Sequence, residues 1–356
     1  MITTGIFPPD IGGPATYIPR FADFLSSNKF NVEVLTLSQD SSTGSPHHSF
    51  NVLRIKKTRK RWLRILITIF SIARKVRNTD FIFCNGLYFE TALAMRFTFF
   101  RGHSLVKIVG DPVWERARNR GITKPSIQGK LERKLITWSL EQFDHVTTPG
   151  ESLAGVVGSW SDKFKVKVVH NGVPIYSKKH DDVKRYDLIV ISRLVAWKNV
   201  DIVISIAKEL NCSLVVIGDG PQRQLLEEQA LGNTNIVFLG VCNAEEIVNL
   251  LGKSRIFCQL SDYEGLSFSL LQAMSSSLPC VLSDIQANRN AFDLDQDAAV
   301  FVQARDVQQA SIEISRLLTT PEIQKDLGIR AHLIARQKFD ERDRMREMME
   351  LMLTHD

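Results

Sequence analysis

No C-x-x-C pair occurs anywhere in this chain of 356 residues. Its five cysteines, Cys84, Cys212, Cys242, Cys258 and Cys280, are scattered, and most sit in apolar runs that read as buried strands, a pattern that predicts reduced core thiols in a reducing compartment. Long apolar runs are missing too. The longest, near Ile65 to Phe70, falls far short of the roughly 20 residues a membrane span requires, so the protein is not expected to be integral to a membrane. No signal peptide opens the chain, and a cytoplasmic location is expected. Metal-ligand spacing is absent: His47 and His48 lie in a Ser-rich loop, and no Asp-x-Asp follows a strand, so neither a metal nor a cofactor is implied. Basic segments lack interleaved stacking aromatics, which argues against a nucleic acid partner. Short-period repeats and low-complexity tracts are also missing.

What remains is a composition of 44% hydrophobic and 24% charged residues, that of a folded soluble protein. The length suits two domains of about 170 residues each. Short apolar runs alternate with amphipathic segments, which is the pattern of βα units building a parallel sheet, and the pattern runs twice. The first round has strands near Ile2–Thr4, Val32–Leu37, Val52–Ile55, Phe81–Cys84, Leu105–Val109, His145–Thr147 and Val166–Val169. A polar stretch from Asn171 to Tyr186, with Lys178, Lys179, Asp181 and Asp182, reads as the linker. The second round has strands near Leu188–Ile191, Leu214–Ile217, Ile236–Leu239, Ile256–Leu260, Cys280–Ser283 and Val300–Val302, and from Pro321 the chain reads as helix. The expected domains are therefore 1–175 and 186–338, both Rossmann-like, with a C-terminal helix over 339–356 packing back toward the first.

Ligands of open α/β sheets bind beyond the carboxyl ends of strands, where loops enter helix N-termini. Four blocks stand at such places. Ser261-Asp262-Tyr263-Glu264-Gly265-Leu266-Ser267, running on through Gln272 to Met274 in a helix, offers a carboxylate, Glu264, beside exposed backbone donors, or forms no more than a helix cap. Ser192-Arg193-Leu194-Val195-Ala196-Trp197-Lys198-Asn199 offers a planar fork and a point charge of the kind a diphosphate leaving group needs in the absence of metal; a solvated surface pair is the plainer alternative. Gly218-Asp219-Gly220-Pro221 can line a nucleotide pocket or be an ordinary turn, and lacks the G-x-G-x-x-G fingerprint. Pro8-Pro9-Asp10-Ile11-Gly12-Gly13-Pro14 opens the first long helix, where Gly12 and Gly13 either admit a phosphate or sugar to the backbone or simply turn the chain.

In this order the blocks, with His170-Asn171-Gly172-Val173 at the junction, resemble the family-4 retaining glycosyltransferases over nearly the whole chain. The resemblance implies the GT-B architecture: two facing Rossmann-like, doubly wound parallel-sheet domains with an interdomain cleft. The first would bind acceptor and the second a nucleotide-sugar, which serves as substrate. It implies that Arg193 and Lys198 hold the donor diphosphate, that Glu264 contacts sugar hydroxyls, and that Gly265, Leu266 and Ser267 present backbone groups to the donor, with Gly12, Gly13, Gly218 and Asp219 lining its site. The family commonly has a second glutamate, for ribose, where this chain has Gln272, which keeps one acceptor but no charge. Many members also have a histidine at a strand end where this chain runs into Gly110-Asp111-Pro112; Asp111 is the candidate sugar- or acceptor-facing group there, or a cap on the next turn. The implied reaction is retaining transfer to a glycan or lipid-linked acceptor in cell-surface polysaccharide synthesis. A sugar-nucleotide epimerase and a catalytically degenerate partner subunit are the alternatives.

Lys56 to Arg77 mixes many Lys and Arg with Trp62, Leu63, Leu66, Ile67 and Phe70. On a helix, Arg61, Arg64, Thr68, Ser71 and Lys75 form one polar stripe. This predicts either a domain helix with a solvated basic face or a peripheral contact with an anionic membrane, at its inner face, that reaches a lipid-linked acceptor.

Overall fold

The computed structural model describes residues 1–10, 12–38, 49–57, 60–119, 126–176 and 184–354. Ile11, His47, His48 and the linker residues Lys178, Lys179, Asp181 and Asp182 lie outside the described residues. The chain divides into two compact units: unit 1 is Met1–Ala117, Ile122–Val169 and Met345–Asp356, and unit 2 is Arg118–Gly121 and His170–Arg344.

Unit 1 carries strands β1 (Ile2–Thr4), β2 (Glu33–Ser38), β3 (Asn51–Lys56), β4 (Phe81–Asn85), β5 (His103–Lys107), β6 (His145–Thr148) and β7 (Val166–Val168) in one parallel sheet of order β3-β2-β1-β4-β5-β6-β7. Its helices are α1 (Gly13–Ser27), α2 (Arg61–Val76), α3 (Tyr88–Thr98), α4 (Pro112–Asn119, of which the last two residues fall in unit 2), α5 (Ile127–Leu140) and α6 (Glu151–Gly158). The steps from β3 to β4, β4 to β5 and β5 to β6 all run the same way across the sheet. Right-handed crossovers therefore put α2, α3 and α5 on one face, and α1, whose step from β1 to β2 is reversed, on the other. The sequence places β5 at Leu105–Val109; it starts two residues earlier because the Asp144 carboxylate accepts both the backbone N–H and the hydroxyl of Ser104, each at 2.7 Å, which satisfies that polar strand start.

Unit 2 carries β8 (Tyr186–Ile191), β9 (Leu214–Ile217), β10 (Ile236–Gly240), β11 (Ser254–Gln259), β12 (Cys280–Ser283) and β13 (Val300–Val302) in the order β10-β9-β8-β11-β12-β13. Its helices are α7 (Val200–Glu209), α8 (Arg223–Ala230), α9 (Ala244–Gly252), α10 (Phe268–Ser275), α11 (Gln286–Ala291), α12 (Val307–Thr319), α13 (Pro321–Lys338) and α14 (Glu341–Leu353), whose residues from Met345 group with unit 1. Successive strand residues feed opposite cores: Ile189, Val215 and Phe257 join one cluster, Leu188, Val216 and Ile256 the other. Burial on both faces is why these strands read as unbroken apolar runs. Among the described residues no helix is long and apolar enough to cross a membrane.

The helix α2 keeps Arg61 and Arg74 exposed, but its inward side cuts across the polar stripe. Thr68, at the middle of the polar stripe, is 1% exposed beside buried Ile69, Ile72 and Val76, while Trp62 and Phe70 are 58% and 70% exposed. On this side the Thr68 hydroxyl donates back to the Arg64 carbonyl of its own helix at 2.8 Å, and Lys75 pairs with Glu33 of β2 at 2.7 Å. The apolar remainder divides: Ile69, Ile72 and Val76 pack inward, while Trp62, Leu63, Leu66, Ile67 and Phe70 face outward.

On the opposite side of the sheet, Lys107 at the end of β5 is 1% exposed. Its amino group sits 4.7 Å from the centre of the Tyr17 ring and has no hydrogen-bond partner among the described residues. Burial pushes its pKa down from 10.5 to about 7, against a weaker upward pull from Glu347 of α14. Between those two values the unfolded chain binds a proton that the native one does not, so stability rises with pH across that window and the full cost of burying the charge is felt below it. Lys107→Met removes the titration. In urea unfolding, wild type is expected to gain on this variant by about 1.4 kcal/mol per pH unit between roughly pH 7 and 10, starting from the less stable position. A difference that stays flat with pH would mean that Lys107 is charged in the native state throughout.

Candidate functional site

Unit 2 concentrates its polar machinery where β8, β9 and β11 end. Beyond β8 the chain makes a short turn at Ala196–Lys198 before α7, and Asn199 joins them with a φ of 49°. Asparagine tolerates that left-handed conformation because its short side chain bonds locally. Here the Asn199 amide donates to the Leu260 carbonyl at 2.8 Å and to the Asp262 carboxylate at 2.7 Å. The Asp262 N–H in turn donates to the Trp197 carbonyl at 2.8 Å, and Arg305 donates to both Asp262 oxygens, at 3.2 and 2.6 Å. Partial burial raises the Asp262 pKa, but the hydrogen bonds from Arg305 and Asn199 outweigh it and hold the carboxyl below its ordinary range. The loops after β8 and β11 are thus tied together.

That tie brings Lys198 against Glu264. The ammonium lies 2.5 Å from the carboxylate, with side chains 17% and 8% exposed. Arg193 is exposed, its guanidinium 5.6 Å from the centre of the buried Trp197 ring, and among the described residues it has no carboxylate partner. Beyond Glu264, Leu266 anchors its loop in the core, and its carbonyl accepts from the Asn171 amide at 3.1 Å. Ser267 caps α10 by accepting from the Leu270 N–H at 3.3 Å, leaving Gly265 between anchor and carboxylate. Gln272 sits inside α10, 8% exposed.

The turn after β9 packs on the loop after β8. Gly218 adopts a φ of 127°, and a Cβ there would overlap the Ser192 carbonyl oxygen; one at Gly220 would overlap that of Leu194. The Leu194 N–H donates to the Asp219 carbonyl at 2.9 Å, and the Leu194 carbonyl accepts from the Gln222 N–H at 3.0 Å. The Asp219 carboxylate is half exposed and accepts from the Gly220 N–H at 2.6 Å and from Arg223 at 3.3 Å. The glycines are required by backbone approach, and the aspartate shapes the turn.

Three sequence candidates belong to unit 1. Gly12 and Gly13 open α1, where Gly12, at a φ of 146°, stands in the cap position and no side chain caps the helix. Asp111 stands ahead of α4, 6% exposed, and one of its oxygens accepts from the Val113 and Trp114 N–H groups, each at 3.0 Å. Arg133 of α5 reaches both of its oxygens, at 2.8 and 2.6 Å. Of the two readings left open by the sequence, this geometry matches the cap, and the carboxylate has little acceptor capacity left for a substrate.

Sequence reasoning missed Asn199, Asp262, Arg305 and Asn171 as organisers of the site. Asn199 and Asp262 stood inside the chosen blocks, and Asn171 in the junction block, without a role; an asparagine directly before a helix start was the usable signal. Among the described residues no group of three His, Cys, Asp or Glu side chains is placed to hold a metal ion.

Comparisons with known proteins agree with this layout. The model of the family "Glycosyl transferases group 1" matches residues 174–333, and that of "Glycosyltransferase Family 4" matches residues 11–176. The O-antigen biosynthesis glycosyltransferase WbnH of Escherichia coli is 30% identical over 124 residues, which is 34% of this chain and 35% of that protein. The chain thus aligns with about a third of the length of such curated relatives. Among solved structures, sucrose-phosphate synthase from Thermosynechococcus elongatus superposes with a TM-score of 0.82 at 15% identity, over 98% of this chain and 97% of that one. HepE of Anabaena in complex with UDP and glucose does so with a TM-score of 0.81 at 14% identity, over 98% of each chain. At such identities the likeness shows the fold alone, which is GT-B.

Because Gly218 combines a left-handed φ with backbone on its Cβ side, Gly218→Ala is expected to cost at least about 2 kcal/mol of stability. Denaturant unfolding measures this, and an unchanged midpoint would show that the turn after β9 shifts freely away from Ser192.

Proposed function

The chain belongs to the group 1, family-4 glycosyltransferases, and from that premise we propose that it transfers a glycosyl residue, with retention, from a nucleoside diphosphate sugar to a hydroxyl of a glycan or lipid-linked acceptor in cell-surface polysaccharide synthesis. The observation that carries the reading is the Lys198–Glu264 pair at the end of β8 and β11, with Arg193 unpaired on the same loop. A buried ion pair holds two opposite charges ready in a site where solvent screens them poorly. A bound donor meets both needs at once: its diphosphate replaces Glu264 as the partner of Lys198 and engages the fork of Arg193, while its sugar hydroxyls donate to the released carboxylate. Gly265 and Ser267 leave the backbone before α10 open to the donor, Gly218 and Asp219 border the nucleotide, and Gln272 meets the ribose without a charge.

In the reaction the bond from the anomeric carbon to the phosphate oxygen breaks, and the acceptor oxygen bonds to that carbon on the same face. The acceptor proton passes to the departing phosphate oxygen. Arg193 and Lys198 stabilise the charge developing on the diphosphate, which is the part of the work a metal would otherwise do. On this path the released Glu264 is taken up by the sugar hydroxyls and Asp262 stays held by Arg305 and Asn199, so neither is called on as a nucleophile. In unit 1, Gly12 and Gly13 offer backbone to the donor, and Asp111 acts as a positioning residue that holds the start of α4 and the Trp114 segment following it. The outward apolar side of α2 gives the enzyme a peripheral place at the inner membrane face, where a lipid-linked acceptor is available.

HepE was solved with UDP, so uridine nucleotides come first in a test panel. Thermal unfolding with UDP, GDP, ADP, CDP and dTDP at a hundredfold excess over the dissociation constant should reveal one base through about 2.7 kcal/mol of added stability. Lys198→Ala should lower kcat for transfer from the matching nucleotide-sugar by about a hundredfold or more. Near-normal turnover would remove Lys198 from the mechanism, and no shift with any nucleotide would favour a partner subunit without turnover.

A further inference from the structure

The outer side of unit 1 has a character of its own. Helices α2, α3 and α5 lie side by side on one face of the sheet, α2 packing on α3 and α3 on α5. Beyond the exposed Trp62 and Phe70 of α2, the same face shows Phe97 at the end of α3, 68% exposed, and a second apolar line on α5: Ile127 at 80%, Leu131 at 63% and Leu135 at 43%. Those three positions are spaced i, i+4 and i+8, one ridge of a helix. Lys130 and Lys134, both exposed, stand beside it.

Carboxylates are almost wholly withdrawn from this surface. The helix α2 contains none, α3 only the half-buried Glu90, which faces Arg61 and Arg64, and α5 only Glu132, which is paired with Arg116 at 2.6 Å. The ridges of α2 and α5 and the end of α3 therefore present bulky apolar side chains among exposed cations, including Lys60, Arg74 and Arg96, with no exposed acid on any of the three helices. A second copy of the same face would meet like charge and is disfavoured. A bilayer with anionic headgroups suits it: apolar tips enter the acyl boundary while Lys and Arg stems reach back to phosphate.

We propose that α5 is a second insertion element, and that the α2–α3–α5 face as a whole docks on an anionic lipid surface. The proposal rests on the peripheral-membrane reading of α2 and extends it: two ridges flanking α3 fix the orientation of unit 1 on the bilayer, which a single helix leaves free to roll.

The test is cosedimentation of the full chain with vesicles of phosphatidylcholine alone and of phosphatidylcholine with one part in three of phosphatidylglycerol, at low and high salt. Wild type should bind the anionic vesicles and lose that binding on neutral ones and in high salt. The pairs Trp62→Ser with Phe70→Ser, and Ile127→Ser with Leu131→Ser, should each lower partitioning by about tenfold, with unfolding midpoints kept because all four side chains are exposed. Release by the α2 pair and full binding by the α5 pair would overturn this proposal and leave the α2 reading standing. Wild type that ignores anionic vesicles would overturn both. A dimer in solution that the α5 pair dissolves would give the face to a second copy of the chain and overturn the lipid assignment.

Discussion

Asp262 accepts hydrogen bonds from Asn199 and Arg305 while its own N–H reaches the Trp197 carbonyl, and the chemistry of unit 2 hangs on that small knot. The strands β8 and β11 are adjacent in the sheet, but adjacency alone places only the loop roots. The loops themselves are held because a charged acceptor binds two donors and a backbone donor is answered across the gap. Lys198 lies one residue before Asn199 and Glu264 two residues after Asp262, so a knot between the inner pair sets the spacing of the outer pair. Without it the 2.5 Å contact of Lys198 with Glu264 would depend on two flexible side chains.

The Lys198–Glu264 pair is costly to bury and gains back only through mutual attraction, which makes it weak evidence for stability and better evidence for a site that waits for a ligand. Within the pair each charge is answered by the other. In the proposed function a diphosphate competing for Lys198 has to displace a carboxylate, and that displacement is offset when the carboxylate gains sugar hydroxyls. The exchange couples recognition of the sugar to recognition of the phosphate. A nucleoside diphosphate alone makes only half of it, and so does a free sugar.

Much of this was legible in the sequence. All thirteen strands lie within two residues of their expected places, because strands buried on both faces leave continuous apolar runs. The GT-B fold and the glycosyltransferase family follow from the order of the blocks, and the close approach of Arg193, Lys198, Glu264 and Gly218 to one strand end follows from the rule that such sheets bind beyond their carboxyl edges. The side-chain partners were not legible. Nothing in spacing tells that Arg305, after β13, returns to Asp262, or that Arg133 of α5 answers Asp111, since those contacts are made by tertiary packing between segments far apart in the chain. The α2 helix shows the same limit from another side. Its buried side takes Thr68 from the polar stripe and Ile69, Ile72 and Val76 from the apolar remainder; periodicity says only that faces differ, and which side turns inward is set by the core it packs on, which a helical wheel does not contain.

The two units differ in how completely they satisfy themselves. Unit 2 buries its apolar strands on both faces and answers most charges near its site with a partner. Unit 1 keeps an amino group buried at Lys107 without a hydrogen bond among the described residues and leaves aromatic and aliphatic side chains in water on α2, α3 and α5. Both features oppose stability of the isolated chain, and they lie on opposite sides of the unit 1 sheet, so a single defect of packing does not explain them. On the docking proposal, an apolar face rimmed by cations is relieved by a lipid surface, and a nucleotide-sugar is not of that chemistry. Near its strand ends unit 2 thus answers charge with charge, while the α2–α3–α5 side of unit 1 leaves bulky apolar side chains to solvent.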